Sequence, residues 1–397
     1  LFDGARVLEN SCGTGEFIHS IIEKNPNVSI DAYDIDPEMI SICRSSFPNI
    51  NAQVCNFLEM EHKPKYDYVI GNPPYFEYLQ RDMPESIVNK FKPWFDGRPN
   101  IYALFIKASI DCLVEGGKLV FVVPKSINNG FNFRKFRSYI IETCNILNVS
   151  FYKANMFKNA QQEVMILVLQ KLSYGESNDG KYLFYKKDMD CPIITLYKNK
   201  LEEKFRNSKT LKDLGFKVTT GNFVWNQNKD IISRNKLDTK LLWSCNIIDN
   251  KLKLDLPNLN LITLDKDPKP KFQKGQYVSS TEKIKPLKGK AIVLNRIVGT
   301  SNSSSLRAAI VDFGDEGYYV ENHLNVITTT NESVHTLEQV YNELIKPEKA
   351  DMLKMVTGNT QLSKKELENL IPINIQENNM ITKNNLNNLQ VKITKVH

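Results

Sequence analysis

A predicted strand that ends in an Asn-Pro-Pro-Tyr turn is the feature that most constrains the fold of this chain. The apolar run 66–70 predicts a buried parallel strand, and Gly71 ends it. Asn72-Pro73-Pro74-Tyr75 follows, and its two prolines fix the backbone and cannot continue a β-ladder. Because open α/β sheets bind ligands at the carboxyl ends of their strands, this turn predicts a rigid binding loop. It offers an amide oxygen, a peptide carbonyl and an aromatic ring to a planar NH2 group. A plain surface turn is the alternative if these four residues are taken alone.

A glycine-containing turn one crossover earlier indicates what the neighbouring part of the sheet binds. The predicted first strand, 5–9, opens into a turn with glycines at 13 and 15, and an amphipathic helix follows. The sequence lacks the third glycine of a dinucleotide site and the lysine of a phosphate loop, which argues against NAD and ATP. The second predicted strand ends in Asp34-Ile35-Asp36-Pro37. We assign Asp34 to a ribose diol, and Asp36 with Pro37 to the start of the next helix.

The other predicted elements of the first half complete an alternating α/β pattern. A third strand, 52–55, leads to Asn56-Phe57, which can pair with and cover an adenine ring. A helix is predicted from Asn100 through Leu113, with Gly116-Gly117 ending it. The remaining predicted elements are a strand at 118–123, a helix with basic residues at 134–137, and strands at 146–151 and 163–170.

Length and cysteine usage bound the class of protein. A chain of 397 residues predicts two domains. Its seven cysteines are scattered and never form a Cys-x-x-Cys pair, which favours reduced thiols in a cytoplasmic compartment and disfavours a metal site. No signal peptide or membrane-spanning stretch is recognisable, so no membrane partner is expected. Because the chain starts at Leu1, we expect a preceding segment to be missing.

Charge is distributed unevenly along the chain. Residues 1–170 carry 17 Lys and Arg against 19 Asp and Glu, whereas residues 171–397 carry 35 against 26. A positive second half is expected of a domain that touches a polyanion, and a lysine-rich solvated surface is the alternative. A polar, turn-rich break at 173–180 places the predicted domain boundary, with a first domain at 1–175 and a second at 185–397.

Five segments in this order resemble a known family. They are residues 8–15, 33–37, 71–75, 116–124 and 155–157. The order is similar to that of the adenine-specific (N6) DNA methyltransferases of restriction-modification type, γ arrangement, with the target-recognition domain last. The resemblance implies an α/β, Rossmann-like, seven-stranded methyltransferase domain with one antiparallel strand, followed by a mixed α+β target-recognition domain. It also implies S-adenosyl-L-methionine as cofactor, double-stranded DNA as substrate and a cognate restriction endonuclease as a candidate partner.

The same resemblance assigns roles to individual residues. Asn72 and Pro73 would accept hydrogen bonds from the target amine, while Tyr75 and Phe157 would grip a flipped base beside Pro74. The cofactor would be bound by Glu9, Cys12, Gly13, Asp34, Ile35, Asn56, Phe57, Asn72 and Phe105. A buried core phenylalanine is the alternative for Phe157.

The sequence departs from the family pattern at three places. The family usually has proline where Asn10 stands, which would change only loop stiffness. It usually has aspartate where Asn56 stands, and an amide oxygen accepts more weakly than a carboxylate. The family's segment before the first strand is absent from this sequence.

The second half gives fewer residue-level predictions. Its segments resemble the recognition domains of the same enzymes and, near 357–373, type I specificity subunits. Arg296 is the best candidate for a base or phosphate contact, with a structural salt bridge as its alternative, and Asn222 and Arg307 are further DNA-binding candidates. His323 is interpreted as a packed core histidine. Two rival activities remain for the whole chain: protein-glutamine methylation and rRNA-adenine methylation, both with an Asn-Pro-Pro-Tyr loop.

Overall fold

The computed structural model describes residues 1–95, 97–152, 163–186, 189–254, 275–279, 281–296, 306–330, 333–356 and 362–375. These residues divide into two compact units. The first contains 1–206 together with 296–306 and 347–370, and the second contains 207–295, 307–346 and 371–397. The 1–175 segment expected as one domain lies inside the first unit, which also takes in later parts of the chain.

The first unit is built on alternating strands and helices. In chain order these are β1 (Arg6–Glu9), α1 (Glu16–Lys24), β2 (Ser29–Asp34), α2 (Pro37–Ser46), β3 (Asn51–Val54), β4 (Tyr66–Gly71), α3 (Glu85–Phe91), α4 (Ile101–Cys112), β5 (Leu113–Pro124), α5 (Arg134–Thr143), β6 (Cys144–Tyr152), β7 (Val164–Lys171), β8 (Leu183–Phe184), β9 (Ile193–Ile194) and α6 (Lys198–Phe205). Both faces of the sheet are covered, because Val7 and Leu8 are adjacent in β1, point to opposite faces and are both 0% exposed.

The strand order of the main sheet places the binding loops. The order is β3-β2-β1-β4-β5-β7-β6, with β7 antiparallel to both of its neighbours. This confirms the predicted seven-stranded, mostly parallel, Rossmann-like sheet with one antiparallel strand. The chain reverses its direction of strand addition between β1 and β4, which pair in parallel. The turns that follow these two strands therefore meet at the topological switch point, where such sheets bind ligands.

The helix before β5 ends earlier than the sequence pattern predicted. The prediction that Gly116-Gly117 ends this helix is wrong, because α4 stops at Cys112 and both glycines lie inside β5. Leu113 is fully buried and already pairs with Tyr66, so packing draws it into the strand. The ladder shifts register between Tyr66 and Tyr68, and Gly116 has φ +73°, a conformation that favours glycine.

The second unit has a mixed α+β fold, as predicted. Its elements are β10 (Phe216–Thr220), β11 (Ile232–Ser233), β12 (Thr239–Leu242), β13 (Ile247–Ile248), β14 (Lys251–Leu252), β15 (Tyr277–Val278), β16 (Lys290–Asn295), β17 (Ala308–Asp312), β18 (Tyr319–Val320), β19 (Leu324–Thr329) and α7 (Leu337–Leu344). β10-β19-β16-β17 form an antiparallel sheet, and β11-β15-β12-β18 form a second four-stranded sheet.

Two helices that follow α7 in the chain belong to the first unit. They are α8 (Pro347–Val356) and α9 (Lys364–Asn369). Ser363 caps α9 by accepting from the Glu366 main-chain N–H at 3.2 Å, and the Glu366 side chain reaches back to the Ser363 N–H at 2.8 Å. Within the described residues, no helix has the length and apolar content needed to span a bilayer.

Candidate functional site

The turn after β1 is tied to the end of β2 by the Asp34 carboxylate. Asp34 Oδ2 accepts the Gly13 main-chain N–H at 2.8 Å, and Oδ1 accepts the Asp36 N–H at 3.0 Å. Gly13 and Gly15 have φ values of +50° and +96°, so the turn needs glycine at both positions. Asp36 caps α2 by accepting from the Glu38 N–H at 2.8 Å, which confirms its predicted structural role. Asp34 thus holds the turn and presents a carboxylate at the end of β2.

Glu9 places a buried carboxyl at the base of this turn. Its side chain is 1% exposed, and Oε2 has no hydrogen-bond partner among the described residues. Burial, followed by the charge of Asp34, raises the pKa of Glu9 to about 9. A buried acceptor without a donor costs about 1–3 kcal/mol and marks a place where a ligand donor fits. The ammonium group of S-adenosylmethionine is such a donor, so the buried Glu9 carboxyl suits this cofactor.

Apolar side chains near the ends of β2 and β3 offer surfaces to an adenine ring. Ile35 follows β2 and is 68% exposed, which is unusual for a large apolar side chain. Phe57 and Phe105 are buried, and their ring centroids lie 5.7 Å apart. The Asn56 amide donates to Glu59 Oε1 at 3.2 Å, which leaves the amide oxygen of Asn56 for other donors.

The loop after β4 holds Asn72 in a defined orientation. The hydroxyl of Tyr75 donates to Asn72 Oδ1 and lies 2.7 Å from the Val122 carbonyl oxygen. Asn72 is exposed, and its main-chain carbonyl accepts from the Ser11 hydroxyl at 3.4 Å. Ser11 belongs to the turn after β1, so this contact joins the two loops at the switch point. The sequence predicted a ring at Tyr75 but missed the role of its hydroxyl.

The segment after Tyr75 is fixed to the start of α4 by main-chain hydrogen bonds. The Tyr78 N–H donates to the Pro99 carbonyl at 2.9 Å, and the Ile101 N–H donates to the Phe76 carbonyl at 3.0 Å. Tyr102, in the first turn of α4, packs edge-on against the Tyr75 ring with centroids 6.1 Å apart. The loop is therefore supported on both sides of its two prolines.

Asn10 has a structural role that the sequence pattern did not reveal. Its amide nitrogen donates to Ser109 Oγ at 2.7 Å, and the Ser109 hydroxyl donates to the Phe105 carbonyl at 2.6 Å. Both side chains are buried, so the turn after β1 is hydrogen-bonded to α4 beneath the predicted adenine surface. Proline could not make this contact. The expectation that Asn10 alters only loop stiffness is wrong, and a serine within the apolar run of α4 was the available signal.

Other predicted site residues lie elsewhere or outside the described chain. Phe157 lies outside the described residues. Arg296 directly follows β16, and its carbonyl accepts the Leu362 N–H at 2.7 Å. The Asn222 amide bonds to the main chain at both ends, donating to Lys285 O at 2.8 Å and accepting from Val320 N at 3.1 Å. Arg307 is exposed.

The interpretation of His323 as a packed core residue is wrong. Its side chain is 43% exposed, and its Nδ1 lies 2.6 Å from Glu321 Oε1. Glu321 itself is only 2% exposed and also accepts the His323 main-chain N–H at 3.0 Å. The buried carboxylate therefore holds the ring at the surface of the second unit.

Replacing Asp34 by alanine is expected to weaken binding of S-adenosylhomocysteine about tenfold. The variant loses the carboxylate at the end of β2 and two acceptors that shape the turn, each hydrogen bond contributing about 0.5–1.5 kcal/mol. Isothermal titration calorimetry measures the affinity. Asp36→Ala is the matched control, because it removes only the cap of α2; equal losses of affinity in both variants would contradict a ligand role for Asp34.

Comparison with known proteins identifies relatives of the first unit. Residues 14–157 match the family described as Eco57I restriction-modification methylase. The modification methylase CviBIII of Paramecium bursaria Chlorella virus NC1A is 30% identical over 194 residues, covering 48% of this chain and 48% of the relative. The type II methyltransferase M.AccI of Acinetobacter calcoaceticus is 25% identical over 170 residues, covering 41% and 32%. M.CvrRI, a type II methyltransferase of Paramecium bursaria Chlorella virus XZ-6E, is 25% identical over 328 residues, covering 82% and 78%.

The extent of these matches differs along the chain. The chain spans about half the length of the first of these relatives and about a third of the second. The family match lies within the first unit and includes the loops after β2 and β4 as well as Gly15. A match to a methylase family agrees with S-adenosylmethionine, the methyl donor predicted from the sequence. The resemblance to restriction-modification DNA methyltransferases is thereby confirmed for residues 14–157.

Proposed function

We propose that this chain is an S-adenosylmethionine-dependent DNA methyltransferase that acts on N6 of an adenine flipped out of the duplex. One observation carries the proposal: the Asn72 loop and the Asp34-anchored turn meet at the switch point of the sheet. This arrangement supports a site in which Asn72 accepts from a planar amine and Asp34 binds a ribose. The methylase family match supplies the reaction class.

The proposed role of Asn72 follows from its acceptor geometry. An amide oxygen has two lone pairs, and Tyr75 uses one of them. The other can accept one hydrogen of the adenine amine, while the Pro73 carbonyl accepts the second. The lone pair of that amine is delocalised into the ring, and two fixed acceptors favour the tetrahedral geometry in which nitrogen is nucleophilic. S-adenosylmethionine, when bound, supplies an electrophilic methyl group on a sulfonium.

Tyr75 is suited to orient Asn72 because its hydroxyl stays protonated. Burial raises the pKa of the Tyr75 phenol, so the group remains a hydrogen-bond donor at all pH values in which the protein works. The phenol has one hydrogen, and the Val122 carbonyl oxygen also lies within its reach. When that hydrogen is donated to Asn72, it selects the amide oxygen and turns the NH2 end away. The correct end of the amide is thus presented before the substrate arrives, which is the form of preorganisation that favours catalysis.

DNA is favoured over protein or rRNA by the charge of the second half of the chain. Residues 171–397 carry the whole positive excess, 35 basic against 26 acidic residues, as expected of a segment that binds phosphates. The family match is to a restriction-modification methylase, and two of the relatives are named as a modification methylase and a type II methyltransferase. A glutamine side chain would need neither a basic unit of this size nor a base-gripping aromatic residue.

A direct product assay tests the proposal. The full chain is incubated with labelled S-adenosylmethionine and mixed-sequence duplex DNA, ribosomal RNA or protein. Digested DNA is then examined for N6-methyldeoxyadenosine, and digested RNA for N6-methyladenosine, by mass spectrometry. We expect N6-methyldeoxyadenosine in DNA alone. Label in RNA or in glutamine residues, with none in DNA, would support the corresponding rival activity instead.

Replacing Tyr75 by phenylalanine is expected to lower the methyl-transfer rate about tenfold. The ring remains for stacking, but the hydroxyl that orients Asn72 is lost, and small errors of position are costly in catalysis. Single-turnover kinetics with saturating DNA measures the rate. Tyr78→Phe is the matched control in the same segment. If Tyr75→Phe matched the rate of the wild type, orientation of Asn72 by the hydroxyl would be excluded.

A further inference from the structure

The C-terminal helices α8 and α9 form a small core with the last elements of the first unit. The residues of this core are all buried: Phe184, Ile193, Leu201, Met352, Val356 and Leu370. They come from β8, β9, α6, α8 and the end of α9. The chain therefore leaves the first unit after residue 206, and residues 347–370 belong to that unit again.

The helices α8 and α9 are hydrogen-bonded to a buried asparagine that follows β5. Asn129 is 6% exposed, and its amide nitrogen donates to the Val356 carbonyl and to Glu366 Oε1. An amide nitrogen has two hydrogens, so both are used on the C-terminal helices. Asn129 lies in the loop 125–130, which continues directly from β5. This loop is thus joined to α8 and α9 by polar contacts as well as by the apolar core.

The same loop is held on its other side by a buried arginine of α5. Arg137 is 3% exposed and donates to the carbonyls of Ile127 at 3.1 Å, Gly130 at 2.6 Å and Pro192 at 3.2 Å. Glu366 is 5% exposed and lies close enough to Arg137 for their charges to interact. Buried charges are costly unless they are paired and hydrogen-bonded, so this arrangement fixes the position of the loop.

The loop 125–130 also contacts Tyr102, which supports the loop that carries Asn72 and Tyr75. Ser126 Oγ lies 2.9 Å from the Tyr102 hydroxyl oxygen, and Tyr102 is fully buried. The Tyr102 ring packs edge-on against Tyr75 at an interplanar angle of 87°. The Tyr75 hydroxyl, in turn, donates to Asn72 Oδ1. Continuous contacts therefore lead from the C-terminal helices through Asn129, Ser126 and Tyr102 to Asn72.

We propose that Asn129 is a positioning residue. Its hydrogen bonds to α8 and α9 fix the loop 125–130, which supports the loop that carries Asn72. The helices α8 and α9 then support the proposed active site of the first unit and are not part of the recognition segment. This inference rests on the proposed function, because its readout is methyl transfer to DNA. Asn129 touches neither cofactor nor substrate, and it acts through Ser126 and Tyr102 on Tyr75.

The test compares three variants of the full chain in single-turnover methyl transfer. Asn129→Ala, Ser126→Ala and Tyr102→Phe are assayed with saturating DNA and cofactor, at a temperature where circular dichroism shows each to be folded. We expect the rate to fall about 10- to 100-fold in Asn129→Ala and about tenfold in the other two. The affinity for S-adenosylhomocysteine should change less than about threefold, because no cofactor contact is removed. The double variant Asn129→Ala/Tyr102→Phe should lose little more than Asn129→Ala alone, since residues acting in one chain of contacts are not additive.

A matched asparagine separates positioning from stability. Asn178 also donates to a main-chain carbonyl in the first unit, that of Cys144 at 2.8 Å, at the start of β6. Asn178→Ala should lower the melting temperature and leave the rate unchanged. Wild-type rates in folded Ser126→Ala and Tyr102→Phe would overturn the proposal even if Asn129→Ala did not fold. So would equal rate losses in Asn178→Ala and Asn129→Ala. An inactive wild-type chain would instead refute the proposed function.

Discussion

Replacing Asn72 by alanine is expected to reduce methyl transfer about 10²- to 10³-fold while the chain still binds cofactor and DNA. The side-chain oxygen is one of two acceptors proposed for the target amine, and loss of one preorganised partner costs about 3–4 kcal/mol in the transition state. Asn72 is exposed at the end of β4 and packs in no core cluster of the described residues. The melting temperature should therefore change little. Single-turnover kinetics and DNA-binding titrations on the same preparation measure both effects.

The variant Asn72→Asp sharpens this prediction. A carboxylate retains an oxygen in the place of Oδ1, and Tyr75 can still donate to it. We expect Asn72→Asp to be faster than Asn72→Ala, although the added charge changes the strength of the contact. Two results would contradict the proposed mechanism: a normal rate in Asn72→Ala, or a loss of rate that is fully explained by weaker DNA binding.

The sheet and the loops at its switch point could be predicted because local sequence determines them. A short run such as 66–70, ended by a glycine and two prolines, favours a buried strand over a helix. Asp36-Pro37 specifies a helix start without any distant contact, and the structure shows that cap. The mostly parallel order then follows from alternating strands and helices. These inferences needed no information about which residues touch across the fold.

What the sequence did not predict depends on long-range packing. Nothing near Tyr75 indicates that its hydroxyl lies 2.7 Å from the Val122 carbonyl, because that contact joins the loop after β4 to the neighbouring strand β5. The pairing of Asn10 with Ser109 spans 99 residues, and the bond from Asn129 to Glu366 spans 237. The role of Gly116-Gly117 was assigned wrongly for the same reason, since the pairing of Leu113 with Tyr66 begins β5 before these glycines.

Replacing Glu9 by glutamine is expected to remove the contribution of this carboxyl to the pH dependence of both stability and cofactor binding. Burial raises the pKa of Glu9 to about 9 in the folded protein, against 4.5 for an ordinary glutamate side chain. Between these two values the folded chain binds more protons than the unfolded chain, so the free energy of unfolding falls as pH rises. Glutamine has no proton to lose. The stability of Glu9→Gln relative to wild type should therefore grow by about 1–3 kcal/mol from pH 5 to pH 8. Thermal or urea unfolding at several pH values, without cofactor, measures this difference.

Cofactor binding should show the complementary effect. An ammonium group placed against Glu9 favours the ionised carboxylate, so binding of S-adenosylhomocysteine at pH 7 should release about one proton from the wild-type protein. Calorimetry in two buffers with different ionisation enthalpies counts that proton. Between pH 6 and 8 the wild-type affinity should rise, up to about tenfold per pH unit. Glu9→Gln should release no proton and bind about 10- to 100-fold more weakly at pH 8, because a charge-assisted hydrogen bond contributes about 1.5–3 kcal/mol. Asp34→Asn, which keeps Glu9 and removes the neighbouring charge that also raises its pKa, should still release a proton. If Glu9→Gln released as much as the wild type, the proton would come from another group, and Glu9 would not be the residue that binds the ammonium.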